Sequence, residues 1–179
     1  MTTSFPSLAA ALAEFYQLLH SPTRQLVGVF GKREPSSGSA SLAGIALSDE
    51  LAFLYQQYTC DMMVTYANIA FTPVDKLARR QEGFASVSVD AGKTLQPNPT
   101  WVKGWTVFAD INDDPIVADT TAPGTPVYAA IEGVQYHAIA PSLAVFIQLL
   151  NEMLKTEDRY QQVRVARMLS SGFFLKRNP

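Results

Sequence analysis

A chain of 179 residues with 47% apolar and 17% charged side chains is long enough for one compact domain with a sizeable core, and it lacks the composition of disorder. Fourteen basic against sixteen acidic residues leave a net charge of -2, without the broad positive field that a nucleic-acid backbone requires. The single cysteine, Cys60, excludes an internal disulfide and any site built from several thiolates, and fits a reducing compartment.

Leu8, Leu12, Phe15 and Leu19 recur at helical spacing and predict a helix over 7–20 with Ser7 as N-cap, stopped by Ser21-Pro22. The first basic residue is Arg24, so the charged start of a secretory signal is missing, and no apolar run nears the roughly 18 residues of a membrane span. The expectation is a cytoplasmic protein with no membrane partner. Gln25 to Phe30 reads as a short strand, and Gly31-Lys32-Arg33 and the small polar run from Glu34 to Ser41 read as turn and loop.

Ser48 followed by Asp49 and Glu50 places a cap and two carboxylates where the dipole of a helix favours them; Leu51, Leu54, Tyr55 and Tyr58 then line one face. Met62 to Tyr66 and Asn68 to Phe71 have strand composition. Thr72-Pro73 opens a helical turn over 74–81, stopped by Glu82-Gly83. From Trp105 onward, Trp105–Ala109, Ile116–Ala118, Val127–Ile131 and Tyr136–Ile139 are short apolar runs divided by turn residues, the pattern of an antiparallel meander. Pro141-Ser142 starts a helix carrying Leu143, Phe146, Ile147, Leu150 and Leu154, and a basic helix is expected over 158–169. This order predicts a single α+β domain with helices on one face of an antiparallel sheet.

Charge is sorted along the chain. From Gly104 to Leu154 there is no Lys or Arg, but there are six carboxylates: Asp110, Asp113, Asp114, Asp119, Glu132 and Glu152. Such a strip offers complementary potential to a basic partner; acidic turns on a solvated sheet are the plainer reading.

The motifs that would carry chemistry fail on inspection. Gly28-Val29-Phe30-Gly31-Lys32 has two residues between its glycines where a phosphate loop needs four, and Arg33 where Ser or Thr belongs. Asp110-Ile111-Asn112-Asp113-Asp114 begins like a calcium loop, but Pro115 stands at the sixth position and Thr121 at the twelfth, so the bend and the bidentate ligand are lacking. Cys60, His20 and His137 are the residues that a thiol–imidazole pair would need, with His20 at a helix end and His137 in a strand. No metal or cofactor is expected. Trp101 and Trp105 read as core or as a ligand platform, and Trp105 is placed between sheet and helices.

The run from Trp105 through Asn112-Asp113-Asp114-Pro115 to Asp119, then Pro126-Val127-Tyr128, then Pro141-Ser142-Leu143 with Phe146, resembles the SUKH superfamily. That pattern is a tryptophan, a strand, a Gly-Gly-Asp-Pro-like turn, a strand ending in Asp, a Pro-Val-Tyr strand and a Pro-Ser-Phe helix start. The helix start at Ser48-Asp49-Glu50 is similar too, and the likeness covers about residues 45 to 154. Asn-Asp-Asp-Pro, Leu143 in place of Phe, and Thr59-Cys60 in place of Asn-Gly depart from it. The resemblance implies a non-enzymatic binding protein without cofactor. Many bacterial members are immunity proteins that neutralise a protein toxin, often a nuclease, and others regulate cell-wall assembly. Asp110, Asp113, Asp114, Asp119 and Glu132 are then the candidate partner-binding residues. A regulatory or scaffolding protein without a toxin partner is the alternative, and a metal-dependent enzyme comes third.

Overall fold

The computed structural model describes residues 6–21, 27–34, 45–64, 69–90, 94–111, 113–131 and 135–156. The expected loop beyond Glu34, the turn at Glu132-Gly133 and the basic helix over 158–169 lie outside them. The chain is α+β. Helix α1 (Pro6–Leu19) is followed by β1 (Val27–Lys32), α2 (Asp49–Gln57), β2 (Tyr58–Val64) and β3 (Ile69–Phe71). A 3-10 turn (Val74–Lys76) leads into α3 (Leu77–Arg80), and then come β4 (Ser86–Val89) and β5 (Thr94–Pro97). The last third is β6 (Trp105–Ile111), β7 (Asp114–Asp119), β8 (Val127–Ile131), β9 (Gln135–Ala140) and α4 (Leu143–Lys155).

Seven strands form one antiparallel sheet in the order β1-β2-β3-β6-β7-β8-β9, and β4 and β5 form a separate two-stranded sheet. The predicted meander is present as β6 to β9, but it is extended by three strands. Tyr58 continues the helical spacing of α2 in the sequence; its backbone is extended, with φ -135° and ψ 145°, and it is both helix cap and first residue of β2. The stretch read as a turn at Gly31-Lys32 belongs to β1. Gly28 there has φ +98°, and a Cβ would come within 2.2 Å of the Asp61 carbonyl oxygen, so only glycine lets β1 approach β2 this closely.

The helices share one core with the sheet. Leu8, Leu12, Phe15 and Leu19 of α1 and Leu143, Phe146, Ile147, Leu150 and Leu154 of α4 are all buried in it, with Leu51, Leu54 and Tyr55 of α2. Phe15 meets Phe30 edge-on at 5.1 Å, and Phe146 meets Phe108 at 5.8 Å. Ser48 caps α2 by accepting from the Leu51 N–H at 3.1 Å, and Ser142 caps α4 by accepting from Val145 at 3.2 Å, each satisfying a first-turn donor. The buried Thr125 hydroxyl lies 2.6 Å from that of Ser48 and donates to Glu50 at 2.9 Å, tying the β7–β8 turn to the start of α2.

Strand β6 carries one extra residue. Its register on β7 shifts between Val107 and Ala109, so Phe108 and Ala109 both join the helix-side core, a bulge that ordinary alternation would not permit. The Tyr55 hydroxyl donates to the Thr72 carbonyl at 2.9 Å, and the Thr72 N–H donates to the Phe108 carbonyl at 2.9 Å. Beyond the end of β3, the Gln81 side chain takes the place of a neighbouring strand: its amide donates to the Val107 carbonyl at 2.8 Å and its oxygen accepts from the Val107 N–H at 2.9 Å. Tyr55→Phe keeps the ring and removes a buried hydroxyl, so urea unfolding should show a loss of about 1 to 2 kcal/mol. An unchanged midpoint would mean that the Thr72 carbonyl finds another donor.

Candidate functional site

The five carboxylates expected to meet a partner do not form one strip. The β6–β7 hairpin closes at the pair Ile111 and Asp114, a two-residue loop in which Asp113 takes φ +71°, as such tight turns demand. Asp114 and Pro115 are therefore strand residues, where a longer turn was expected. The ladder from β7 to β8 starts at Ile116, so the missing N–H of Pro115 does not interrupt it. Asp119 pairs with Trp105 at the other end of β7, about 17 Å from Asp114 at a strand's rise. Its carboxylate accepts from the Thr121 N–H at 2.9 Å and from the Thr121 hydroxyl at 2.7 Å. Glu132 lies outside the described residues.

Cations from other parts of the chain meet this acid locally. Arg80 of α3 pairs with Asp110 at 3.2 Å, and Lys155 pairs with Glu152 at 2.7 Å and with Glu14 at 2.9 Å. Asp110 and Asp113 line a cleft of about 530 Å³ together with Lys76, Arg79, Arg80 and Glu82, over a floor that includes Phe71 and Pro73. The cleft is of mixed charge, because α3 brings its basic residues to the acidic hairpin. Burial raises the Asp110 carboxyl above its usual range, and the Arg80 guanidinium only partly offsets this. Arg80 Nε is buried without a hydrogen-bond partner among the described residues.

The residues that carry the family-like pattern are assembled into one contiguous part of the fold. Trp105 opens β6, Asp119 ends β7 and donates its N–H to the Pro126 carbonyl at 2.9 Å, and Val127-Tyr128 opens β8. Pro141 and Ser142 lead into α4, whose Leu143 N–H donates to the Gly124 carbonyl at 2.9 Å, and Phe146 fills the core.

Trp105 is not between the sheet and the helices. Val127 and Ala129 belong to the helix-side core, so Tyr128 between them points to the other face, and Trp105 stacks on Tyr128 at 4.8 Å. Tyr136 and Trp101 join it, with centroids 5.0 and 6.1 Å from Trp105. Trp101 is fixed by donating its indole N–H to the Trp105 carbonyl at 3.0 Å. All four rings keep part of their surface in solvent. The sequence holds a trace of this face, since Tyr128 stands between the core residues Val127 and Ala129, but it does not say that Trp101 folds back onto it.

The thiol–imidazole reading fails on the state of the thiol. Cys60 is buried, and burial pushes its pKa up to about 12, which keeps it protonated and poorly nucleophilic at neutral pH. His20 stacks on Tyr16 at the exposed end of α1, with Nδ1 2.8 Å from the Tyr16 carbonyl oxygen. Among the described residues, no three His, Cys, Asp or Glu side chains gather as a metal site, and no helix is long and apolar enough to cross a membrane. No protein family, curated protein or solved structure compared with the chain matches it.

Three outcomes are expected from these surroundings. Because the Asp110 pKa is raised in the fold, the folded state holds its proton more tightly, and stability falls as pH rises above the ordinary carboxylate range. Asp110→Asn should remove that fall and leave the protein no less stable at neutral pH. Arg80→Met strands the carboxylate and should cost about 1 kcal/mol, the pair being partly screened by solvent; urea curves at two pH values check both. Cys60 should resist alkylation by iodoacetamide at neutral pH until the protein is unfolded, as mass spectrometry would show.

Proposed function

We propose that this chain is a SUKH-like, non-enzymatic binding protein that neutralises a protein toxin of the nuclease type by forming a stable complex with it. The observation that supports this reading is the gathering of the family-like segments into one unit. Trp105, the Asp114-Pro115 hairpin, Asp119, Pro126-Val127-Tyr128 and the Ser142-capped helix lie on or beside the neighbouring strands β6, β7 and β8 and helix α4, although they are spread over about 40 residues of sequence. The acid-rich composition of that unit, with no Lys or Arg from Gly104 to Leu154, suits a basic partner.

The test is protection. A nuclease toxin domain encoded beside this gene should arrest growth when expressed alone in a bacterial host, and co-expression of this chain should restore growth. The purified pair should elute together and lack nuclease activity on plasmid DNA. Growth arrest despite soluble co-expression, with no complex on gel filtration, would refute the reading.

A further inference from the structure

The cleft between α3 and the β6–β7 hairpin draws opposite charges from its two sides. Lys76, Arg79 and Arg80 come from the 3-10 turn and α3, and Asp110 and Asp113 come from the hairpin. Its volume of about 530 Å³ is that of a site for a small molecule. The two sides meet where Arg80 pairs with Asp110 at 3.2 Å.

Each side keeps charge that this pair does not use. Among the described residues Arg79 has no ion-pair partner, and Lys76 reaches only Asp61, at 3.9 Å with both side chains more than half exposed. On the hairpin side, two carboxylates share the one guanidinium of Arg80: Asp113 has no ion-pair partner of its own among the described residues. Burial and the charge of Asp113 raise the Asp110 pKa against the pull of Arg80. Glu82, two residues past α3, lines the cleft as well and is unpaired in the same sense. The lining thus carries three cations and three carboxylates. A ligand with a single charge satisfies one set of unpaired groups and leaves the other as it was, whereas a ligand with both charges forms charge-assisted hydrogen bonds to both.

We propose that this cleft binds a small zwitterion whose ammonium and carboxylate are held apart by an uncharged spacer, the carboxylate meeting Arg79 and Lys76 and the ammonium meeting Asp113. Short peptides with free termini and aliphatic ω-amino acids share this chemistry. The site goes beyond the reading of the chain as a toxin-neutralising protein and does not depend on it.

Amide NMR of the whole chain reads the binding residue by residue. The probes are glycine, β-alanine, γ-aminobutyrate, δ-aminovalerate and ε-aminocaproate, which lengthen the spacer stepwise, with glycylglycine as the peptide and caproate and hexylammonium as single-charge controls. A zwitterion of matching length should shift amides of α3 and of the hairpin saturably, with a dissociation constant of about 1 mM or below. Affinity should pass through a maximum along the series, and each single-charge control should bind about tenfold or more weaker than the best zwitterion. Arg79→Gln and Asp113→Asn should each weaken that probe by about threefold or more, and Glu82→Gln should leave it unchanged. Asn accepts the left-handed backbone of Asp113, φ +71°, so the hairpin is kept; thermal melts confirm that the variants fold. Glycylglycine and δ-aminovalerate have spacers of equal length, and the tighter of the two tells a peptide from an aliphatic ligand. The proposal is overturned if no zwitterion shifts these elements saturably, if a single-charge control binds as well, if Arg79→Gln or Asp113→Asn binds like the wild type, or if Glu82→Gln weakens binding more than Asp113→Asn. No toxin enters this titration, so failed protection leaves the cleft as proposed, and an empty cleft leaves protection untouched.

Discussion

One residue out of step in β6 sets the rest of the structure. With Phe108 inserted opposite β7, two successive side chains, Phe108 and Ala109, enter the helix-side core, and Val107 is left out of it. A bulge leaves backbone groups without strand partners, and a buried unpaired group is costly. Here they are met from two directions: Thr72, steadied by the Tyr55 hydroxyl of α2, covers the Phe108 carbonyl, and Gln81 covers both polar groups of Val107. Helix α2 and the short α3 segment are thereby locked to the same strand. That lock also places Arg80, one residue before Gln81, against Asp110.

The parts of the fold legible in the sequence are those where a local pattern decides the outcome. The four- and three-residue spacing in α1 and α4 needs a buried stripe, and the alternation in β8 needs a sheet with two different faces. Tyr58 shows the limit. Its position suits the buried stripe of α2 and it is in fact buried, but as the first residue of β2, because burial alone does not distinguish the last turn of a helix from a strand that continues it. The β4–β5 hairpin is not legible in the sequence, because its residues are exposed or half-buried and show no apolar period.

For the candidate site, the sequence located the charges but not their company. The acid between Gly104 and Leu154 is a linear fact; in space, Arg80 and Lys155 reach it from outside that interval. Pairing a charge needs only one well-placed opposite charge: Lys155 stands three residues from Glu152, but Arg80 reaches Asp110 across 30 residues, a separation that no local pattern spans. Trp105 illustrates the same point for packing: strand register turns the ring to the helix-free face with Tyr128, and Trp101, four residues earlier, is held beside it by its indole hydrogen bond.

The self-paired hairpin of β4 and β5 has a consequence for how such a protein can vary. Its base is closed by Asn98, which donates to the carbonyls of Phe84 and Ala85, and neither strand contributes to the seven-stranded sheet. Residues added at its tip would shift no register elsewhere, whereas one residue added between α2 and β2, which adjoin without a connecting residue, would turn every side chain of β2 to the wrong face. Length is therefore a free variable in the hairpin beside the aromatic face and a forbidden one at the helix-to-strand joint. Descendants of this chain could diversify the rim of that face by insertion while the sheet beneath it stays fixed.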